Sequence, residues 1–233
     1  MTPLLLIPGM MCDARLFAPQ LTAINDRALM LAPIVARDNM RELALDVLAD
    51  APPSFALAGL SMGGIVAMEV LRQAPQRVAG LCVMDTNPQA EKDEIKARRL
   101  PQMERVKQGE LREIMRDEMK PNYLAEGENR QAVLDLCMDM ALTLGPEVFL
   151  RQSLALMNRP DQCETLGRCQ KPALILHGEN DALCPASRHE LMHQLMPHAE
   201  YRVVKGAGHL PTLEKPDQVN RLLKNWLAEI QVG

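Results

Sequence analysis

The chain of 233 residues alternates short apolar runs with amphipathic segments along most of its length. The apolar runs contain few polar residues, which is typical of strands that are covered on both faces. The predicted strands are residues 4–7, 28–31, 55–58, 78–84, 172–176 and 200–204. The predicted helices between and after them are residues 15–24, 40–49, 65–73, 186–196 and 218–230. Helices between such strands imply right-handed crossovers, so the pattern predicts an α/β fold with a mostly parallel, doubly wound sheet of about six strands.

The alternation stops between about residues 89 and 167, where the sequence is charged and helical in period. Proline and glycine residues divide this stretch into about four helical segments. We therefore expect residues 1–88 and 168–233 to form the core domain, and residues 89–167 to form a helical insertion between two strands. An insertion at the edge of the sheet that carries a functional site would act as a lid over that site.

Composition and charge argue against several kinds of partner. The 26 Lys and Arg residues against 30 Asp and Glu residues give a net charge of −4 without a long basic run, which argues against a nucleic-acid partner. The N-terminal apolar run lacks the basic start of a signal peptide, and no run is long enough to span a bilayer. We therefore expect a cytoplasmic protein without a membrane partner. The sequence leaves the oligomeric state open.

A serine lies between two glycines at the predicted end of one strand. Gly59, Ser61 and Gly63 form the pattern G-x-S-x-G between the strand 55–58 and the helix 65–73. Glycine has no Cβ atom, so the strand and the helix can approach closely at this bend. A serine at so sharp a turn holds its hydroxyl above the edge of the sheet, where it can act as a nucleophile.

A serine hydroxyl needs a general base and a group that orients that base. His209 lies in a glycine-rich loop directly after the last strand and is the candidate base. Asp181, in the loop after the penultimate strand, is the candidate orienting acid. Asp85, at the end of the strand 78–84, is the alternative acid, and Glu179 is a weaker candidate beside Asp181.

Attack on a carbonyl also requires donors that bind the oxyanion. The backbone N–H of Met62 lies at the start of the helix after the serine and is the first predicted donor. The second donor is predicted to be the N–H of Met10, in the turn after the first strand. Gly9 allows that turn to be tight.

The motifs G-L-S-M-G-G at 59–64, G-E-N-D at 178–181 and G-A-G-H-L-P at 206–211 occur in the order nucleophile, acid, base. With them the chain resembles the α/β-hydrolase fold superfamily, in its lid-bearing branch of small esterases, enol-lactonases and C–C hydrolases. The resemblance covers nearly the whole chain. It differs from many members in having Pro8-Gly9 where they have His-Gly, and in lacking their first antiparallel hairpin.

The resemblance implies a cofactor-free serine hydrolase that cleaves a small or medium carboxylic ester, or a lactone, without a metal. C–C bond hydrolysis and cofactor-free perhydrolysis use the same triad and are the alternative reactions. A protein that binds a ligand without turning it over is a further alternative, although every catalytic position is filled. The substrate is expected to be a small-molecule ester, but spacing alone does not identify it.

Two further patterns suggest other sites. His189, Glu190 and His193 spell H-E-x-x-H, the zinc-metalloprotease signature, yet no third ligand fits well and a solvated surface helix explains the pattern more simply. The predicted lid also carries arginines that could hold a substrate carboxylate, although charged runs on helices are usually solvated faces. These arginines are Arg98, Arg99, Arg105, Arg112 and Arg116.

Overall fold

The computed structural model describes residues 1–230, which form a six-stranded sheet with all strands parallel. The strands are β1 (Leu4–Ile7), β2 (Leu29–Leu31), β3 (Phe55–Leu60), β4 (Val78–Met84), β5 (Ala173–Gly178) and β6 (Glu200–Val204). Their order across the sheet is β2-β1-β3-β4-β5-β6. This arrangement confirms the predicted α/β class and the parallel sheet of six strands.

Helices cover the sheet and connect its strands. A long connection joins β4 to β5. The helices that lie outside it are α1 (Ala18–Ala23), α2 (Met40–Asp50), α3 (Met62–Gln73), α9 (Ala186–Leu195), α10 (Pro211–Glu214) and α11 (Pro216–Glu229). Those within that connection are α4 (Asp93–Lys107), α5 (Leu111–Ile114), α6 (Arg130–Leu144), α7 (Pro146–Met157) and α8 (Cys163–Gly167). A π-helical turn (Met115–Met119) and a 3₁₀ turn (Lys120–Asn122) follow α5. Within residues 1–230, every helix is too short or too polar to cross a lipid bilayer.

The inner strands are apolar because they are covered on both faces. Every residue of β1, β3 and β5 is buried. The edge strand β6 instead exposes Arg202 and Val203, which fits a strand with a neighbour on one side only. Burial of both faces therefore explains why the inner strands read as continuous apolar runs.

The chain reverses its direction across the sheet after β2. The connection from β1 to β2 runs toward one edge, and β3 to β6 then follow one another toward the other edge. Right-handed crossovers place α1 on the face opposite α2 and α3. Consistently, α1 packs against α11, whereas α2 packs against α3. The reversal leaves a crevice at the carboxyl ends of β1 and β3, which is where open α/β sheets bind ligands.

Three helices begin at residues other than the predicted ones. Helix α11 begins at Pro216 rather than at residue 218. Helix α3 begins at Met62 rather than at residue 65, because the carbonyl of Ser61 already accepts the N–H groups of Gly64 and Ile65 at 2.9 and 3.3 Å. The predicted helix 15–24 is split into a 3₁₀ turn (Ala14–Phe17) and α1, with a proline in the first turn of α1. Proline is well tolerated there, because the first N–H groups of a helix have no intrahelical acceptor.

Candidate active site

Ser61 occupies a strained turn between β3 and α3, with φ 55° and ψ −119°. The turn is tight because its glycines touch backbone. A Cβ atom on Gly59 would lie 2.3 Å from the carbonyl oxygen of Gly63, and one on Gly63 would lie 2.1 Å from that of Ile7. Thr86, just after β4, donates from Oγ1 to the Ser61 carbonyl at 2.7 Å. The predicted close approach of strand and helix is therefore present, and the nucleophile candidate is fixed by the sheet itself.

The structure brings together the three residues that the sequence proposes as a triad. Ser61 Oγ lies 2.9 Å from His209 Nε2, and His209 Nδ1 lies 2.9 Å from Asp181 Oδ2. His209 and Asp181 are buried, whereas Ser61 is half-buried and can be reached from the cavity. A hydroxyl, an imidazole and a carboxylate in this order can move a proton away from the hydroxyl.

Asp181 is held in its ionised form. Its Oδ1 accepts the backbone N–H groups of Leu183 and Cys184 at 2.8 and 3.0 Å. Burial alone would raise the pKa of Asp181, but the charge and the hydrogen bond of His209, together with these two N–H bonds, lower it below its usual value. The carboxylate can therefore orient the imidazole and stabilise its protonated form.

Both predicted oxyanion donors lie beside the serine. Met10 and Met62 line the same cavity as Ser61, and neither backbone N–H donates to a protein acceptor within residues 1–230. Met11, with φ 55°, shapes the turn that contains Met10. Its N–H donates to Gln152 Oε1 at 2.8 Å, so a buried side chain of α7 supports the turn.

The loop of His209 is fastened to the segment that follows α5. The N–H of His209 donates to the carbonyl of Tyr123 at 2.7 Å. Glu214 accepts the N–H groups of Gly208 at 2.9 Å, Leu210 at 3.0 Å and Ala125 at 2.9 Å. Sequence reasoning did not assign this supporting role to Glu214, because a glutamate in a short helix after the loop carries no motif that indicates it.

The two alternative acids have other roles in the structure. Asp85 is fully buried in a left-handed conformation (φ 46°), and its Oδ1 accepts the N–H of Gly178 at 2.8 Å. Burial, and then the nearby charge of Asp181, raise the pKa of Asp85 well above its usual value. Glu179 is exposed and accepts the N–H of Gly206 at 3.0 Å. Neither carboxyl group is hydrogen-bonded to His209.

The H-E-x-x-H residues lie on α9, but within residues 1–230 they are not among the side chains grouped closely enough to hold one metal ion. His189 is fully buried, accepts the N–H of Thr86 at Nε2 over 3.2 Å, and stacks on His177 at 4.4 Å. Burial lowers the pKa of His189 to about 3. Glu190 is exposed, and His193 stacks on Tyr201. The solvated-surface interpretation of the motif is therefore wrong for His189, which is a packing residue.

A cavity of about 470 Å³ opens beside the triad. Its floor is formed by the ends of β1 and β3, and its sides by residues of α4, the turns after α5, and the start of α9. The cavity is large enough for a small molecule. Within residues 1–230, Asp181, Cys184 and His209 at its edge are the one group of three His, Cys, Asp or Glu side chains close enough to hold a metal ion, and Asp181 and His209 are already hydrogen-bonded to each other.

Comparison with known proteins agrees with this architecture. A sequence model described as "Alpha/beta hydrolase family" matches residues 7–222. A pimeloyl-[acyl-carrier protein] methyl ester esterase of Xanthomonas axonopodis pv. citri is 28% identical over 209 residues, covering 84% of this chain and 81% of that protein.

Solved structures resemble the chain over almost its full length. A thermophilic esterase of Thermogutta terrifontis, solved with malate bound, has a TM-score of 0.91 and 28% identity, covering 100% of this chain and 91% of the esterase. The enol-lactonase of Burkholderia xenovorans LB400 has a TM-score of 0.88 and 18% identity, covering 98% of this chain and 92% of the lactonase. At 18% identity, the second likeness concerns the fold alone.

Proposed function

The chain belongs to the alpha/beta hydrolase family as a carboxylic ester hydrolase, and from this premise we propose that it acts through an acyl-enzyme formed on Ser61. Its substrates are small or medium carboxylic esters or lactones. The observation that carries the proposal is the continuous relay Ser61–His209–Asp181, with spacings of 2.9 and 2.9 Å, opening on a cavity of small-molecule size.

In the proposed mechanism, Ser61 Oγ attacks the ester carbonyl while His209 Nε2 takes its proton. Asp181 keeps the proton of the imidazole on Nδ1 and stabilises the imidazolium. The N–H groups of Met10 and Met62 bind the oxyanion, each contributing on the order of 3 kcal/mol to the reduction of the barrier. His209 then donates its proton to the leaving alcohol. Water hydrolyses the acyl-enzyme by the same route.

We assign residues 89–167 to a lid and the rest of the chain to the core domain. Two features support this division. The side chains of α4 and of the turns after α5 line the cavity that contains Ser61. The same segment fastens the loop of His209 through Tyr123 and Ala125. The lid therefore shapes the substrate cavity and helps to position the base.

The relatives support the ester substrate at a coarse level. One is named for a methyl ester on an acyl chain and another is an esterase. These names do not transfer a particular acyl or alcohol group to this chain, because at 28% identity most of the aligned side chains differ.

The test is hydrolysis of activated esters of increasing acyl length by the wild-type enzyme and by Ser61→Ala. We expect an optimum at one acyl length, and a loss of kcat on the order of 10⁴-fold or more in Ser61→Ala. Ser54→Ala, which removes an exposed serine hydroxyl, is the matched control and should keep full activity. Near-normal turnover by folded Ser61→Ala would refute the assignment, and inactivity of the wild type on every ester would refute the reaction class.

A further inference from the structure

Four arginines line the cavity that contains Ser61. Arg98 and Arg99 both lie on α4, and Arg99 is connected through hydrogen bonds to two arginines from other elements. Arg159 follows α7, and Arg188 lies in the first turn of α9. Arg99 Nε donates to Glu91 Oε2 at 2.8 Å, and Arg159 Nη1 donates to Glu91 Oε1 at 2.9 Å. Glu91 and Arg159 are both 8% exposed, so a single buried carboxylate serves two guanidinium groups.

Arg188 joins this network without a carboxylate partner among residues 1–230. Its Nη1 donates to the side-chain amide oxygen of Gln89, which is neutral. The backbone carbonyl of Gln89 accepts Arg159 Nε at 2.9 Å, so Gln89 links the two arginines. The network of three arginines and Glu91 therefore carries an excess of two positive charges, and we call it the arginine network.

The excess positive charge is partly withdrawn from water. Burial lowers the pKa of Arg159, and the charges of Arg99 and Arg188 lower it further against the opposing effect of Glu91. A buried charge without a counter-charge is unfavourable, and a bound anion would supply the missing counter-charge. Nε and Nη2 of Arg188 donate to no acceptor within residues 1–230, and they can form a two-point bond with an anion.

The network is part of the proposed catalytic cavity rather than of a separate surface. Arg99 Nη1 lies 3.8 Å from Met10 Sδ, in the turn that supplies a proposed oxyanion donor. Arg188 lies four residues after Cys184, and the N–H of Cys184 donates a hydrogen bond to the carboxylate of Asp181. An anion held here would therefore belong to the same molecule as the ester that Ser61 attacks.

We propose that the arginine network binds an ionised carboxylate of the substrate, so that the enzyme cleaves esters or lactones that carry a second, free carboxyl group. This inference rests on the proposed function and specifies its substrate class. Planar guanidinium groups match the two oxygens of a carboxylate, and the cavity of about 470 Å³ holds a small dicarboxylic half-ester. The same donors suit a phosphate, so the test includes both anions.

The experiment compares a 4-nitrophenyl half-ester of a straight-chain dicarboxylic acid with a neutral 4-nitrophenyl ester of the same chain length. Wild-type kcat/KM should favour the charged ester. Arg188→Gln should lower that preference about tenfold to a hundredfold, as expected for loss of a charge-assisted hydrogen bond. Arg188→Glu should reverse it. Arg221→Gln, which removes an exposed arginine of α11 outside the cavity, should leave the preference unchanged.

Each other outcome contradicts a distinct part of the proposal. The carboxylate site is refuted if the wild-type enzyme favours the neutral ester. It is also refuted if folded Arg188→Gln keeps the wild-type preference. In both cases the proposed function still holds if hydrolysis of both esters depends on Ser61. Hydrolysis of neither ester contradicts the proposed function itself. Glutarate should inhibit competitively and more weakly in Arg188→Gln. Stronger inhibition by inorganic phosphate than by glutarate would assign the site to phosphate and overturn the carboxylate.

Discussion

The two loops that carry the proposed nucleophile and base are fixed by different parts of the molecule. The nucleophile turn, residues 59–64, is held within the sheet by glycine contacts with Ile7 and by Thr86. The histidine loop, residues 206–211, is held mainly by Glu214 and by the backbone of Tyr123 in the proposed lid. Backbone packing in the core therefore fixes Ser61, whereas the Glu214 carboxylate and a segment distant in the sequence fix His209.

Because of this difference, we expect substitutions in the two loops to affect different properties, namely the stability of the folded core and the alignment of His209. A change in the nucleophile turn should disturb the folded core and activity together, since no side chain can yield to relieve the contact. A change in the support of the histidine loop should affect the alignment of His209 more than the core. Substitutions in the two regions can therefore test whether the proposed lid helps to position the base.

The largest effect is expected for Gly63→Ala. Its Cβ atom would lie 2.1 Å from the Ile7 carbonyl oxygen and 2.6 Å from that of Pro8, so the backbone of β1 or α3 must shift. We expect a loss of about 3 kcal/mol in the free energy of unfolding, at the upper end of the usual cost of overpacking, together with loss of ester hydrolysis. Denaturant unfolding and kcat/KM measure both effects.

Gly127→Ala is the control for this substitution, because a Cβ atom on Gly127 would meet no atom of residues 1–230 within 4 Å. It should change neither stability nor activity appreciably. If Gly63→Ala unfolds at the same denaturant concentration as the wild type, the core does not fix the nucleophile turn in the way described.

The nucleophile turn could be predicted from the sequence because its requirements are local. Gly59 and Gly63 are close in the chain to the serine that they surround, and the apolar run before them marks a buried strand. The sheet was predictable for the same reason, since burial on both faces leaves a continuous apolar run. The bounds of α3 and α1 were less accurate, because they depend on hydrogen bonds at single turns.

The supports of the relay could not be read from the sequence. Glu214 bonds Ala125 from 89 positions away, and Gln152 bonds Met11 from 141 positions away. A glutamate or a glutamine does not indicate in the sequence which backbone group it will bind, and only the tertiary fold brings the members of each pair together. The arginine network has the same origin, because Arg159 and Arg188 are brought to Arg99 by separate elements. His189 is the opposite case. It belongs to a motif that is easily recognised in the sequence, but in the structure it is a buried packing residue.

An intermediate effect is expected for Glu214→Gln. The carboxylate accepts three backbone N–H groups, and an amide would place its own NH₂ group against at least one of these donors. An unsatisfied buried donor costs roughly 1–3 kcal/mol, and we expect kcat to fall about tenfold because the histidine loop is less well aligned. Steady-state kinetics and thermal unfolding measure the two effects.

Glu179→Gln is the matched control, because Glu179 accepts a single N–H from the same loop at an exposed position. It should leave kcat nearly unchanged. Equal losses in the two variants would show that the contact between the histidine loop and the proposed lid has no special part in positioning His209.

The smallest effect on activity is expected for Asp85→Asn, which should instead raise stability. The pKa of Asp85 is raised by burial and then by the charge of Asp181, so the folded state holds a proton that the unfolded chain releases above about pH 4. The wild type therefore loses stability as the pH rises from this value toward the folded pKa, whereas the variant does not. Asparagine keeps the acceptor for Gly178 and tolerates the left-handed backbone.

We expect Asp85→Asn to be more stable than the wild type, by a difference that widens as the pH rises from about 4 to about 7, because only the wild type must keep a buried carboxyl group protonated. The difference between the two unfolding curves at each pH cancels the titration of all other groups.

Asp181→Asn, assayed beside Asp85→Asn, should lose activity by roughly 10³–10⁴-fold, because the imidazole would no longer be held in the required tautomer. A large loss in Asp85→Asn with an active Asp181→Asn would make Asp85 the orienting acid and move the relay to the end of β4.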